Sequence, residues 1–171
     1  MQSSDDTAGK NERAWTGERA EAWLARPAER LVVEGSRLLA LDPSPLERAH
    51  VLFAGLIGDR ACGAVFAAFR RFLEVLGPCA ACPLRGMPAG EPRVSRDEAL
   101  LLCLVSGIQH GDEAVVETCL DRLSCRSRCH EVEAAASSFA ILLRCFGHSL
   151  LPVPLQSIER LLARSHAVTI H

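Results

Sequence analysis

The stretch Ser95 to Val105, SRDEALLLCLV, constrains this chain more than any other. Ser95 and Glu98 have the spacing of a capping box, in which the serine hydroxyl accepts from the free N–H three residues on and the glutamate reaches back. The run behind it, Ala99 to Val105, is apolar on every side. A helix with no polar face has to sit in the middle of a bundle, covered by other helices.

The rest of the chain supplies the covering. Hydrophobic residues make up 49% of the 171, and much of that share is Ala and Leu, while Tyr is absent and β-branched residues are sparse. Those preferences favour helix over strand. The expected fold is all-α: a single-domain bundle of about six or seven helices over residues 15–165, long enough to bury a core without staples. The expected core includes Phe69, Phe72, Leu101, Leu104, Leu120, Phe139 and Leu143.

Local signals divide that bundle. Trp15, Ala20, Trp23 and Leu24 have helical spacing, and Pro27 suits the first turn of a helix running to Leu41. Ser44-Pro45-Leu46-Glu47 is a second capping box. The stripe from Val51 to Ile57 and the stripe Cys62, Val65, Phe69, Phe72, Leu76 are separated by Gly58-Asp59. A single straight helix across residues 45–76 would carry Gly55, Gly58 and Gly63 inside it, each costing about 0.5–1 kcal/mol relative to Ala. A break at Gly58-Asp59 is therefore expected. Gly111-Asp112 ends the Ser95 helix and caps the next one, through Val115, Cys119, Leu120 and Leu123. The result is two helical hairpins, around 45–76 and 96–124, each followed by a pair of cysteines, which is a weak repeat of layout. Val132 to Phe146, closed by Gly147, and Pro154 to Arg164 complete the set.

The eight cysteines fall into two groups. Cys62, Cys103, Cys119 and Cys145 lie on or beside apolar stripes, where free Cys behaves as a small hydrophobe. Cys79 and Cys82, in the loop GPCAACPLRG, and Cys125 and Cys129, in LSCRSRCH, have Gly, Pro, Ser, Arg and His as neighbours. A hairpin begins and ends at the same end of a bundle, so topology gathers these four at one end, with His130 beside Cys129. Local spacings of C-x2-C and C-x3-C-H suit tetrahedral thiolate and imidazole ligation. The expected metal ligands are Cys79, Cys82, Cys125, Cys129 and His130. A set this rich in sulfur suits zinc, with an iron–sulfur cluster as the alternative.

Two other readings compete for the same residues. Cys79 and Cys82 can serve as a redox dithiol, with Arg126, Arg128 and a helix start lowering a thiol pKa, although the strand that precedes a thioredoxin-type C-x-x-C is missing. Alternatively the cysteines carry no ligand and the chain is a helical interaction module.

Several function classes are excluded by what the chain lacks. There is no H-E-x-x-H, no G-x-S-x-G and no phosphate loop, and His110-Gly111-Asp112 is accounted for by helix capping. A net charge of −2 with dispersed arginines gives no footprint for nucleic acid. Arg122, Arg126, Arg128 and His130 read as a solvated helix end. No run approaches the ~18 apolar residues of a membrane helix. The N-terminal MQSSDDTAGKNERAW lacks the apolar core of a signal peptide, so residues 1–14 read as a disordered tail and 166–171 as a frayed one.

The sequence thus implies a non-enzymatic, cytoplasmic accessory or regulatory protein. Its partner would be another protein or a second copy of itself. The row Ala54, Gly58, Cys62, with Gly55, Asp59 and Gly63 beside it, would let another backbone approach closely, either within the chain or from a partner.

Overall fold

The structure is a computed structural model and describes residues 23–41, 46–78 and 84–166. Among them are seven α-helices and no strand: α1 (Pro27–Ser36), α2 (Leu46–Ile57), α3 (Asp59–Leu76), α4 (Arg96–His110), α5 (Glu113–Leu123), α6 (Cys129–Cys145) and α7 (Leu155–His166). A π-helical turn, Arg37–Leu41, prolongs α1, and a 3₁₀ turn, Arg126–Arg128, leads into α6. The all-α bundle inferred from the sequence is the fold. Most of the helix expected around Trp15 and the capping box at Ser44 lie outside the described residues. None of the described helices is long and apolar enough to cross a membrane.

α4 is the axis. Its capping box is complete, with Ser95 Oγ accepting from the Glu98 N–H at 3.2 Å and Glu98 Oε2 accepting from the Ser95 N–H at 2.7 Å. Every residue from Glu98 to Gly107 is buried. All seven expected core residues are buried as well. Phe69 and Phe139 bring α3 against α6, their ring centroids 4.7 Å apart, with Phe53 and Phe72 packed around them.

Both hairpins turn where Gly-Asp stands, but the two turns differ. Gly111 is left-handed (φ 70, ψ 28) and Asp112 caps α5 by accepting from the Val115 N–H at 3.2 Å. Gly58 has φ 81 and ψ 155, and Asp59 is already the first residue of α3, with no side-chain cap. The layout repeats while the turn geometry does not. Backbone approach also matters at two glycines inside helices. A Cβ on Gly107 would lie 2.8 Å from Val115 Cγ1, and one on Gly35 would lie 2.8 Å from Phe69 and 2.9 Å from Phe53.

The direction of α6 follows from its contacts at the far end. The Gln109 side-chain amide donates to the carbonyls of Ala140 and His148 at 3.1 and 3.2 Å and accepts from the Leu150 N–H at 2.8 Å, while Arg144 donates to the Gln109 carbonyl. The C-termini of α4 and α6 therefore meet. His110, close by, donates through Nε2 to the Leu150 carbonyl at 2.9 Å, so it is held in a structural bond. The N-termini of α4 and α6 accordingly share the opposite end of the bundle.

Candidate functional site

That opposite end collects the flanks of every candidate ligand. Leu73, Glu74 and Gly77 at the end of α3 line one recess with Leu39, Leu46 and Leu84. Just beyond Leu84 the chain is tied to the start of α4. The Arg85 N–H donates to Asp97 Oδ2 at 2.8 Å, Ser95 Oγ donates to the Arg85 carbonyl at 2.6 Å, and the Met87 N–H donates to Glu98 Oε1 at 2.9 Å. α5 comes down antiparallel to α4 and delivers Ser124, Cys125 and the first turn of α6 to the same end.

Cys79 and Cys82 lie outside the described residues. Cys125 is half-buried on extended backbone (φ −74, ψ 144). Cys129 is the first residue of α6 and is a half-buried free thiol. Its sulfur is 3.2 Å from Ser124 Oγ and donates to the Cys125 carbonyl at 3.5 Å. His130 is exposed on the first turn of the same helix. Among the described residues no group of three or more His, Cys, Asp or Glu side chains is arranged to hold a metal ion. Cys125, Cys129 and His130 are thus neighbours in the chain without forming a three-ligand group by themselves. The guanidinium of Arg128 faces Glu131 at 3.3 Å, so its charge is shared with a carboxylate.

The cysteines assigned to the core separate differently from expectation at one position. Cys62, Cys103 and Cys119 are buried, but Cys145 is exposed. The buried stripe of α6 runs through Val132, Ala136, Phe139, Ala140 and Leu143. Cys145 is two residues past Leu143, roughly 200° around the helix, and faces water.

The buried thiols occur in pairs that sequence reading missed. Cys62 Sγ is 3.5 Å from His50 Nε2 and donates to the His50 carbonyl at 3.6 Å. Burial first, then the negative charge of Asp59, pushes the Cys62 thiol up. Cys103 is hydrogen-bonded to Cys119, and that bond, followed by burial, raises the Cys103 thiol well above the ordinary range. Both stay protonated at neutral pH, which makes them poor nucleophiles and poor ligands. The signal for the second pair was available: Cys103 and Cys119 are equidistant from Gly111, the pivot of their hairpin.

Sequence reading also passed over Arg37. It is fully buried, yet every guanidinium nitrogen is bonded. Nε and Nη2 donate to the two carboxylate oxygens of Glu98 at 2.7 and 3.0 Å, Nη1 to Glu34 Oε1 at 2.8 Å and the Glu91 carbonyl at 2.7 Å, and Nη2 to the Arg93 carbonyl at 2.6 Å. Burial alone would lower the Arg37 pKa and is the largest single influence, but Glu98 and then Glu34 together outweigh it, and the net shift is upward. The charge is retained because both its partners and its hydrogen bonds are supplied by the fold.

The row Ala54, Gly58, Cys62 serves two purposes. Cys62 is buried and Ala54 half-buried inside the α2–α3 hairpin, whereas Gly55, Gly58 and Gly63 are exposed, and a Cβ added at any of the three would meet nothing within 4 Å. Val51, on the same stretch of α2, is 70% exposed.

No known protein family, curated protein or solved structure matches the chain.

Proposed function

We propose that this protein is a non-enzymatic accessory or regulatory protein of a reducing, cytoplasmic compartment that works through a thiol cluster at one end of its bundle. Cys79, Cys82, Cys125, Cys129 and His130 provide more than enough sulfur and imidazole donors for a tetrahedral zinc site. Zinc binds when the thiols are reduced and is released when they are oxidised. Zinc is preferred to an iron–sulfur cluster because the loop lacks the further cysteines of a ferredoxin-type run.

The observation that carries this reading is the convergence of chain ends. Gly77 and Leu84, which flank the C-x-x-C loop, stand at the same end as Cys125 and Cys129. Chemically, two protein thiols and a small-molecule disulfide exchange to give one protein disulfide and two small thiols. Two ligands are lost in that step.

Elemental analysis and visible absorption of protein purified without oxygen and fully reduced test the proposal. The expected result is a colourless protein with about one zinc per chain, lost in Cys79→Ser and Cys129→Ser and released by added oxidised glutathione. A brown chromophore with bound iron would replace zinc by an iron–sulfur cluster. Reduced protein without metal that reversibly forms a Cys79–Cys82 disulfide would leave thiol–disulfide exchange as the function. Protein that does neither would leave a helical interaction module. The exposed Val51 and the open glycine row favour a protein partner or a second copy in that last case.

A further inference from the structure

We infer that the recess walled by α1, α2 and residues 89–92 is a binding site for a small amphipathic carboxylate, a function beyond the thiol cluster and built from residues outside it. Apolar side chains and two arginines share there a cavity of about 540 Å³. Sites for small ligands run to about 300–1,000 Å³.

Two of the walls are helical. On α1 and the π-helical turn that prolongs it, Arg30, Glu34 and Leu38 recur every four residues and line the recess together. Arg48 and Leu52 do the same on α2. The π-helical turn separates two neighbours: Arg37 is fully buried in the bundle, while Leu38 lines the recess. Such turns are found frequently at functional sites.

The third wall would be a bare surface loop but for a clamp. Arg37, paired with Glu98, donates to the carbonyls of Glu91 and Arg93, and Glu34 accepts from the Gly90 N–H at 3.0 Å. Glu98 also accepts from the Met87 N–H, and Asp97 from the Arg85 N–H, so residues 84–93 are held along their length. Within them Pro88 to Glu91 closes as a turn, with Gly90 at φ 82 and the Glu91 N–H donating to the Pro88 carbonyl at 3.1 Å. Ion pairs this deeply buried add little to stability over an apolar core. What they supply is a fixed wall, which spares a ligand the cost of ordering one.

The same bonds engage the acids of the recess. Glu34 is taken up by Arg37 and Gly90, and Glu91 by Arg93 at 2.8 Å. Arg30 and Arg48 present the planar fork of donors that suits a carboxylate, and Leu24, Leu38 and Leu52 present apolar surface to the body of the ligand. A monoanion is favoured over a phosphate dianion, because Glu34 and Glu91 stand in the same recess and repel a second negative charge.

Titration of the full chain with decanoate tests the inference, read by amide chemical shifts and by calorimetry. Decyltrimethylammonium carries the same chain with the opposite charge, acetate the same head without the chain, and decyl phosphate a second negative charge. Decanoate is expected to give saturable shifts at Leu38, Leu52 and Gly90 with a Kd of about 1 mM or tighter, and the three comparators to bind more weakly. Arg30→Gln and Arg48→Gln should each weaken decanoate by about tenfold. Absence of saturable shifts at the recess, equal binding of the cation, tighter binding of decyl phosphate, or unchanged affinity in both variants would overturn it. So would recess shifts that grow with protein concentration alone, which would give this face to a second copy of the chain. If Arg48→Gln does not fold, the wild-type shift map and Arg30→Gln, at an exposed position of α1, decide it.

Discussion

Arg37 and Glu98, 61 residues apart in the chain, meet through two hydrogen bonds of 2.7 and 3.0 Å with neither side chain more than 2% exposed. Each charge is tolerated only because the other is present. Glu98→Ala leaves a buried guanidinium without its main partner and removes the carboxylate half of the α4 capping box. The expected loss is about 3–5 kcal/mol, read as a lower urea midpoint. Replacing both residues together by Met and Leu should recover much of that loss, because the uncompensated charge is gone.

The glycines divide by sign. Gly55 and Gly63 lie within helices with open space around them, so Gly55→Ala and Gly63→Ala should each stabilise by about 0.5–1 kcal/mol. Gly35→Ala and Gly107→Ala should destabilise, since the new methyl meets Phe69 or Val115 at 2.8 Å. Gly58 is strained by any side chain at φ 81, so a substitution there should destabilise despite the open space around it. Thermal melts of the four alanine variants check the ordering.

Alkylation of the reduced native protein should follow exposure. Among the described free thiols Cys145 is expected to react first and Cys129 after it, with Cys62, Cys103 and Cys119 protected until the protein opens. Mass spectrometry of labelled peptides gives the order. Early labelling of Cys103 or Cys119 would remove the assignment of that pair to the core.

The Cys103–Cys119 contact also sets an alkaline limit on stability. The folded chain keeps the Cys103 proton at a pH where the unfolded thiol has lost it, so the unfolded state binds fewer protons and stability falls as pH rises above the ordinary thiol range. Stability should be flat below that range and decline above it. Cys103→Ala should flatten the alkaline side of a urea-midpoint profile even though it lowers the midpoint at neutral pH.

Core substitutions test the axis of the bundle. Leu104 and Phe139 are fully buried, one on α4 and the other at the α3–α6 contact. Leu104→Ala is expected to cost about 2–5 kcal/mol and Phe139→Ala about 3–5 kcal/mol. Urea denaturation followed by circular dichroism measures both.

What the sequence determined by itself is the set of features that neighbouring residues decide among themselves. The Ser95–Glu98 capping box, the αL turn at Gly111, the break at Gly58 and the apolar stripe of α4 all depend on spacings of a few residues, and the all-α bundle follows from them. Burial of Leu101, Leu104, Phe69 and Phe139 was legible for the same reason, since helical period states which side of a helix is dry. Tertiary structure decided what lies between distant segments. That Arg37 would be buried against Glu98, that Cys62 would face His50, and that Cys145 would face water depended on the rotation and approach of whole helices, where one residue turns a side chain through about 100°. The candidate site divides along the same line. Hairpin topology sufficed to send Gly77, Leu84, Cys125 and Cys129 to one end, because a chain that goes up and comes down returns to where it began. The clamp that holds residues 84–93 there could not be read in advance, because no local pattern announces that a helix-capping carboxylate will also accept from a buried arginine from another helix.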